Sequence, residues 1–105
     1  MDTLDKIKQQ ISDNTVLLYM KGTPQFPQCG FSSRAVKCIE ACAVPFATVD
    51  VLANPDIRQT LPQYANWPTF PQLYVNGELI GGSHIIIDMH EQDELAPLLQ
   101  AANNH

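Results

Sequence analysis

Thr15 to Val51 reads TVLLYM-KGTPQFPQCG-FSSRAVKCIEAC-AVP-FATVDV, and the order of those pieces decides the fold. Thr15–Met20 is a compact apolar run of strand length and predicts a buried strand. Lys21–Gly30 holds Gly22, Pro24, Pro27 and Gly30 and reads as a loop. Phe31–Cys42 lacks Gly and Pro and carries Val36, Ile39 and Cys42 at helical spacing. Phe46–Val51 is a second short strand. Two strands joined by a helix are parallel, with a right-handed crossover.

Outward from that unit, Leu4, Ile7 and Ile11 recur at helical spacing, giving an N-terminal amphipathic helix that ends near Asn14. Asn54-Pro55 predicts a helix start, with Asn as N-cap and Pro in the first position. Its helix runs through Ile57 and Leu61, and Pro62 is expected to bend or interrupt it before Tyr64. Trp67-Pro68-Thr69-Phe70-Pro71 is a rigid connection. Asn76-Gly77 between Gln72–Val75 and Glu78–Ile80 is a hairpin signal. After Gly81-Gly82, Ser83 is expected to cap one final helical region whose apolar side is Ile86, Met89, Leu95, Leu98 and Leu99. The order α-β-α-β-α-β-β-α describes an α/β fold, a four-stranded mixed sheet with helices on both faces.

The chain has 105 residues and is 45% hydrophobic, enough for one core but not two, so residues 1–105 read as a single domain. Six basic residues against 11 acids give a net charge of -5, which disfavours a broad nucleic-acid footprint. The charge is uneven. Residues 59–105 contain no Lys or Arg and carry the whole -5, whereas residues 14–39 contain Lys21, Arg34 and Lys37 and no acid. No apolar stretch approaches a membrane span. Met1–Lys6 lacks the basic start and apolar run of a signal peptide, and three cysteines are too few and too odd for a disulfide framework. A cytoplasmic protein is expected.

Cys29 carries the chemistry. It stands at the end of a Gly/Pro loop and just before a helix, where unpaired backbone N–H groups and the helix dipole favour a thiolate, the reactive form. Lys21, at the end of the preceding strand, adds to the effect. Cys38 and Cys42 lie four apart on one helical face and read as core residues. Ser32 occupies the place where a dithiol motif would carry its resolving cysteine. Cys29 is therefore expected to act alone, forming a mixed disulfide with an external thiol or binding a metal.

Cys29-Gly30-Phe31-Ser32 resembles the signature of the monothiol glutaredoxins of the CGFS class. Lys21-Gly22-Thr23-Pro24, Trp67–Leu73, Asn76-Gly77 and Gly81-Gly82 fall in the same register, so the resemblance covers nearly the whole chain. It implies a thioredoxin-like fold, in agreement with the element order. It implies that Pro71 is cis and that the backbone of Phe70 pairs with the cysteinyl part of glutathione. Lys21 and Arg58 match the family's cationic contacts to the glycine carboxylate, and Gly82, Ser83 and His84 take the γ-glutamyl end. His84 departs from the pattern. Members commonly carry Asp there, facing the γ-glutamyl ammonium, and His84 cannot supply that charge. Ser83 also replaces a cysteine found there in many members.

The resemblance further implies a glutathione-ligated 2Fe–2S cluster bridging a homodimer, with Cys29 as the protein ligand of each subunit. Such a cluster needs four thiolates, and two chains with two glutathiones supply them. The expected function is cluster binding and transfer in iron–sulfur biogenesis and iron homeostasis. A second reading is glutathione-dependent reduction of mixed disulfides by Cys29. A third is a binding module that pairs with a BolA-like protein. A zinc site from Cys38, Cys42 and His84 or His90 competes, but its spacing lacks a second paired motif. Asp88, Glu91, Asp93 and Glu94 read as a solvated face, or as a surface for a basic partner. Trp67 reads as packing, and His105 as a disordered end.

Overall fold

The computed structural model describes residues 2–104, so the expected disorder of His105 falls outside the described residues. In chain order the elements are α1 (Thr3–Asp13), β1 (Val16–Met20), α2 (Gly30–Glu40), β2 (Ala47–Asp50), α3 (Pro55–Ala65), β3 (Gln72–Val75), β4 (Glu78–Gly81), α4 (Ser83–Glu91) and α5 (Leu95–Asn103). The sheet order is β2-β1-β3-β4. β1 runs parallel to β2, with Leu17 opposite Ala47, and antiparallel to β3, with Leu18 opposite Leu73. This is the α/β, four-stranded mixed sheet that the element order predicts.

The buried run of β1 explains how one sheet packs helices on both of its faces. Successive strand side chains point to opposite faces. Val16, Leu18 and Met20 join a cluster with Ala35, Val36 and Ile39 of α2, Ile86 of α4 and Leu95 and Leu99 of α5. Leu17 and Tyr19 join the other cluster, with Ile7 and Ile11 of α1 and Ile57 and Leu61 of α3. Burying a Leu or Ile side chain contributes roughly 1.5–3 kcal/mol, so β1 is the element on which both layers depend. On the second face, Lys6 Nζ lies 2.7 Å from Asp56 Oδ2, and the Thr3 hydroxyl donates to the same oxygen at 3.1 Å, joining α1 to α3.

The hairpin forms as its residues demand. Asn76 and Gly77 both take positive φ, 51° and 83°, between β3 and β4. Three expectations need correction. The final helical region is two helices. α4 closes with Asp93 at φ 58°, its N–H donating to His90 O at 3.1 Å and the Glu94 N–H to Met89 O at 2.8 Å, the bond pair that terminates a helix at a left-handed residue. Pro62 does not interrupt α3, which continues to Ala65. The helix is anchored by buried Ile57 and Leu61 and closed beyond the proline by the Trp67 N–H donating to Pro62 O at 3.1 Å. Ser83 does not cap α4. Gly82 is the capping residue and Ser83 the first helical one. Asn54 caps α3 by position, but its side chain donates to Asp50 O at 2.8 Å instead of bonding the helix.

Candidate functional site

The parallel β1–α2–β2 crossover brings the N-terminus of α2 to the carboxyl end of β1, the usual ligand-binding edge of an α/β sheet. Between them, residues 21–28 fold into a small hairpin of their own. Gly22 bridges to Pro27, the Gln28 N–H donates to Lys21 O at 2.9 Å, and Thr23 and Phe26 exchange backbone hydrogen bonds. This loop delivers Cys29 to the N-cap position of α2, with extended backbone at φ -151° and ψ 135°.

The thiol sits where the first turn of α2 presents free amides. The sulfur makes no full capping bond, yet its ionised form is favoured. The Ser32 backbone N–H is the largest cause, followed on the favourable side by the Phe31 N–H, the Lys21 ammonium and the Ser32 hydroxyl, and burial works against them. The net effect holds the Cys29 thiol below its ordinary pKa. Ser32 is fully buried, and its Oγ accepts the Lys21 N–H at 3.1 Å. Cys29 itself is half-buried.

In front of the thiol opens a cleft of about 420 Å³. Lys21, Cys29, Arg58 and Phe70 all line it, so the structure brings these four predicted site residues together. Phe31, Pro62, Pro68 and Thr69 complete the wall. Arg58 and Pro62 are one helical turn apart on α3 and so share a face. The Phe70–Pro71 peptide is cis. The chemistry of the cleft is two cations and a nucleophilic sulfur over an apolar floor, suited to an anionic thiol. A hollow of about 470 Å³ at the other end of the sheet, near Lys8, Asp13 and Asn76, contains no cysteine and no comparable chemistry.

Gly82, Ser83 and His84 do not line the cleft. They form the start of α4 beside it. A Cβ on Gly82 would lie 3.3 Å from the Pro71 carbonyl oxygen and 3.3 Å from Trp67 Nε1, so the backbone of Gly82 packs tightly on the cis-proline turn. The Trp67 indole lies beside the same Gly82 backbone, and its Nε1 is buried without a hydrogen-bond partner. His84 is exposed, in the second position of α4. Cys38 and Cys42 stay away from the cleft. Cys42 is buried and its Sγ donates to Cys38 O at 3.3 Å, and burial pushes both thiols above the ordinary value. The acids Asp88, Glu91, Asp93 and Glu94 are exposed.

Residues 16–80 match the family model for glutaredoxins. The chain belongs to the glutaredoxin family. A probable monothiol glutaredoxin from Legionella pneumophila is 72% identical over 86 residues, covering 82% of this chain and 97% of that protein. Glutaredoxin 4 of Haemophilus ducreyi is 62% identical over 106 residues, covering 100% of this chain and 99% of that protein. Among solved structures, reduced apo GrxS14 from poplar superposes with a TM-score of 0.78 at 42% identity, covering 98% of this chain and 92% of that one. The monothiol glutaredoxin identity and the thioredoxin-like glutaredoxin fold follow, and family membership implies the use of glutathione.

Sequence reasoning assigned Ser32 only a negative role, as a missing second thiol. Its buried hydroxyl, bonded to the Lys21 N–H, has no signal in the sequence beyond its place at the third residue of α2. Pro62, Pro68 and Thr69 were not singled out as cleft residues either. The Pro68-Thr69 pair next to the predicted cis-proline was the available clue.

Proposed function

We propose that this glutaredoxin binds a glutathione-ligated 2Fe–2S cluster as cargo and passes it to acceptor proteins in iron–sulfur biogenesis and iron homeostasis. The observation that carries the reading is Cys29. It is the one thiol in the cleft, its ionised form is favoured, and Ser32 holds the place a resolving thiol would take. One such ligand per chain leaves a four-thiolate cluster incomplete. A second chain and two glutathiones complete it, each glutathione held by Lys21, Arg58, the Phe70 backbone and the start of α4 at Gly82, Ser83 and His84. The whole chain acts as one glutaredoxin domain, in the cytoplasm, and a BolA-like protein is an alternative second subunit. Glutathione is a borrowed ligand and exchanges freely, which suits transfer of the cluster.

The test is anaerobic reconstitution with iron, sulfide and glutathione, followed by the visible spectrum and gel filtration. The expected result is a 2Fe–2S spectrum on a dimer, dependent on glutathione and lost in Cys29→Ser. A cluster that persists in Cys29→Ser overturns the assignment.

A second reading is favoured by the same lowered thiol pKa. The Cys29 thiolate attacks the glutathione sulfur of a protein–glutathione mixed disulfide, forming a Cys29–glutathione disulfide and expelling the protein thiolate. A second glutathione thiolate then attacks that disulfide and leaves as glutathione disulfide, restoring Cys29, so the chain works as a deglutathionylating oxidoreductase. Steady turnover in a thiol-transfer assay, together with no chromophore after reconstitution, selects this reading over the first.

A further inference from the structure

The two cations of the cleft stand on different elements. Lys21 follows β1, and Arg58 is on α3. One residue bonds to both segments. Asp50 ends β2, opposite Met20 in the parallel pair, so its side chain extends past the strand toward the loop. Its Oδ1 accepts the Gly22 N–H at 2.9 Å, which fixes the backbone next to Lys21. The same oxygen accepts the Leu52 N–H at 2.9 Å, a local turn that starts the connection to α3. The Asp50 carbonyl accepts Asn54 Nδ2 at 2.8 Å, and the Arg58 N–H donates to Asn54 O at 3.1 Å. A continuous path of hydrogen bonds thus runs from the Lys21 segment through Asp50 to the turn that carries Arg58.

We propose that Asp50 is a positioning residue that sets the separation of Lys21 and Arg58, and thereby the affinity of the cleft for the carboxylate end of glutathione. The inference rests on the glutathione reading of the cleft. Asp50 is absent from the cleft lining, so it acts through the two cations and not by contact. Its effect has a distinctive sign. An acid near a cationic cleft weakens anion binding by charge alone, so removing one tightens it. Losing the two backbone bonds to Oδ1 releases the Lys21 segment and weakens binding instead.

The test measures binding of S-methylglutathione, which cannot form a disulfide, to the full chain by calorimetry. Asp50→Ala is expected to bind about tenfold more weakly, the equivalent of one charge-assisted hydrogen bond. Asp50→Asn keeps an oxygen acceptor at the same place and is expected to restore most of the affinity. Alkylation of Cys29 by neutral iodoacetamide is expected to change much less than binding in both, because the Ser32 amide of α2 is the largest cause of the lowered thiol pKa and the Lys21 ammonium a smaller one. Should Asp50→Ala fail to fold, Asp50→Glu carries the test, since its extra methylene displaces the acceptor and keeps the charge. Equal or tighter binding by folded Asp50→Ala (or by Asp50→Glu) overturns the proposal, even if its melting temperature falls. Absence of binding by the wild-type chain overturns the glutathione reading itself.

Discussion

The Ser32 hydroxyl oxygen accepts the Lys21 backbone N–H at 3.1 Å inside the protein, so the serine that replaces a second thiol holds the cationic strand end against the helix that carries Cys29. The same hydroxyl favours the Cys29 thiolate. Replacing it by Ala leaves a partly buried N–H without that partner. Ser32→Ala is expected to cost about 1–3 kcal/mol in urea unfolding. It is also expected to raise the Cys29 pKa, read by ultraviolet thiolate absorbance. A variant of unchanged stability and unchanged pKa would show that the hydroxyl is dispensable.

The lowered pKa of Cys29 fixes the sign of two pH dependences. Alkylation by iodoacetamide tracks the thiolate fraction, so its midpoint is expected below the ordinary thiol value of about 8.5. Folding linkage runs the same way. A group ionising more easily when folded adds stability as pH rises from its folded pKa to its unfolded one, and loses it as pH falls back through the folded pKa. The stability difference between wild type and Cys29→Ser is expected to grow across that window. Cys38 and Cys42 have raised pKa values and act oppositely, weakening the fold only above the ordinary thiol range. A difference that stays flat with pH would contradict the favoured thiolate.

His84 occupies the second position of α4, exposed, where a carboxylate would meet the helix dipole and, under the proposed glutathione binding, the γ-glutamyl ammonium. His84→Asp is expected to stabilise the chain by about 0.3–1 kcal/mol through the dipole. It is also expected to tighten S-methylglutathione binding in calorimetry. A variant that gains stability while binding no better would separate the two effects and remove His84 from the ligand site.

The parts of this fold written in local residues were readable in the sequence. The β1 run, the Asn76-Gly77 turn and the N-cap place of Cys29 each depend on residues within a few positions of one another. Other features depend on distant partners. Ser32 and Lys21 are 11 residues apart and Asp50 and Gly22 are 28 apart, and no pattern announces either bond. The α4–α5 break escaped because its left-handed residue is Asp93 and not the usual glycine. Pro62 does not interrupt α3 because a proline's missing N–H is a local cost, whereas the helix is held by the burial of Ile57 and Leu61 on either side of Arg58. Of the cleft residues, Cys29 and Lys21 were legible from their places at the start of a helix and the end of a strand, whereas Arg58 and Phe70, on separate segments, were legible only through family resemblance.

Gly22 offers a test of whether the loop before Cys29 must keep its shape. Its φ of +93° is unfavourable for any side chain. A Cβ there would also lie 2.5 Å from the Phe26 carbonyl oxygen and 2.8 Å from the Gln28 nitrogen, both backbone atoms that cannot swing aside. The Lys21–Gln28 hydrogen bond and the Gly22–Pro27 bridge must therefore open to admit a methyl group. Gly22→Ala is expected to lose at least about 1 kcal/mol of stability. Because Lys21 moves with the loop, the variant is also expected to bind S-methylglutathione more weakly. Cys29 keeps its place on α2, so alkylation at high pH, where the thiol is fully ionised, is expected to stay close to the wild-type rate. Loss of alkylation together with binding would mean that the loop, and not the start of α2, fixes the sulfur.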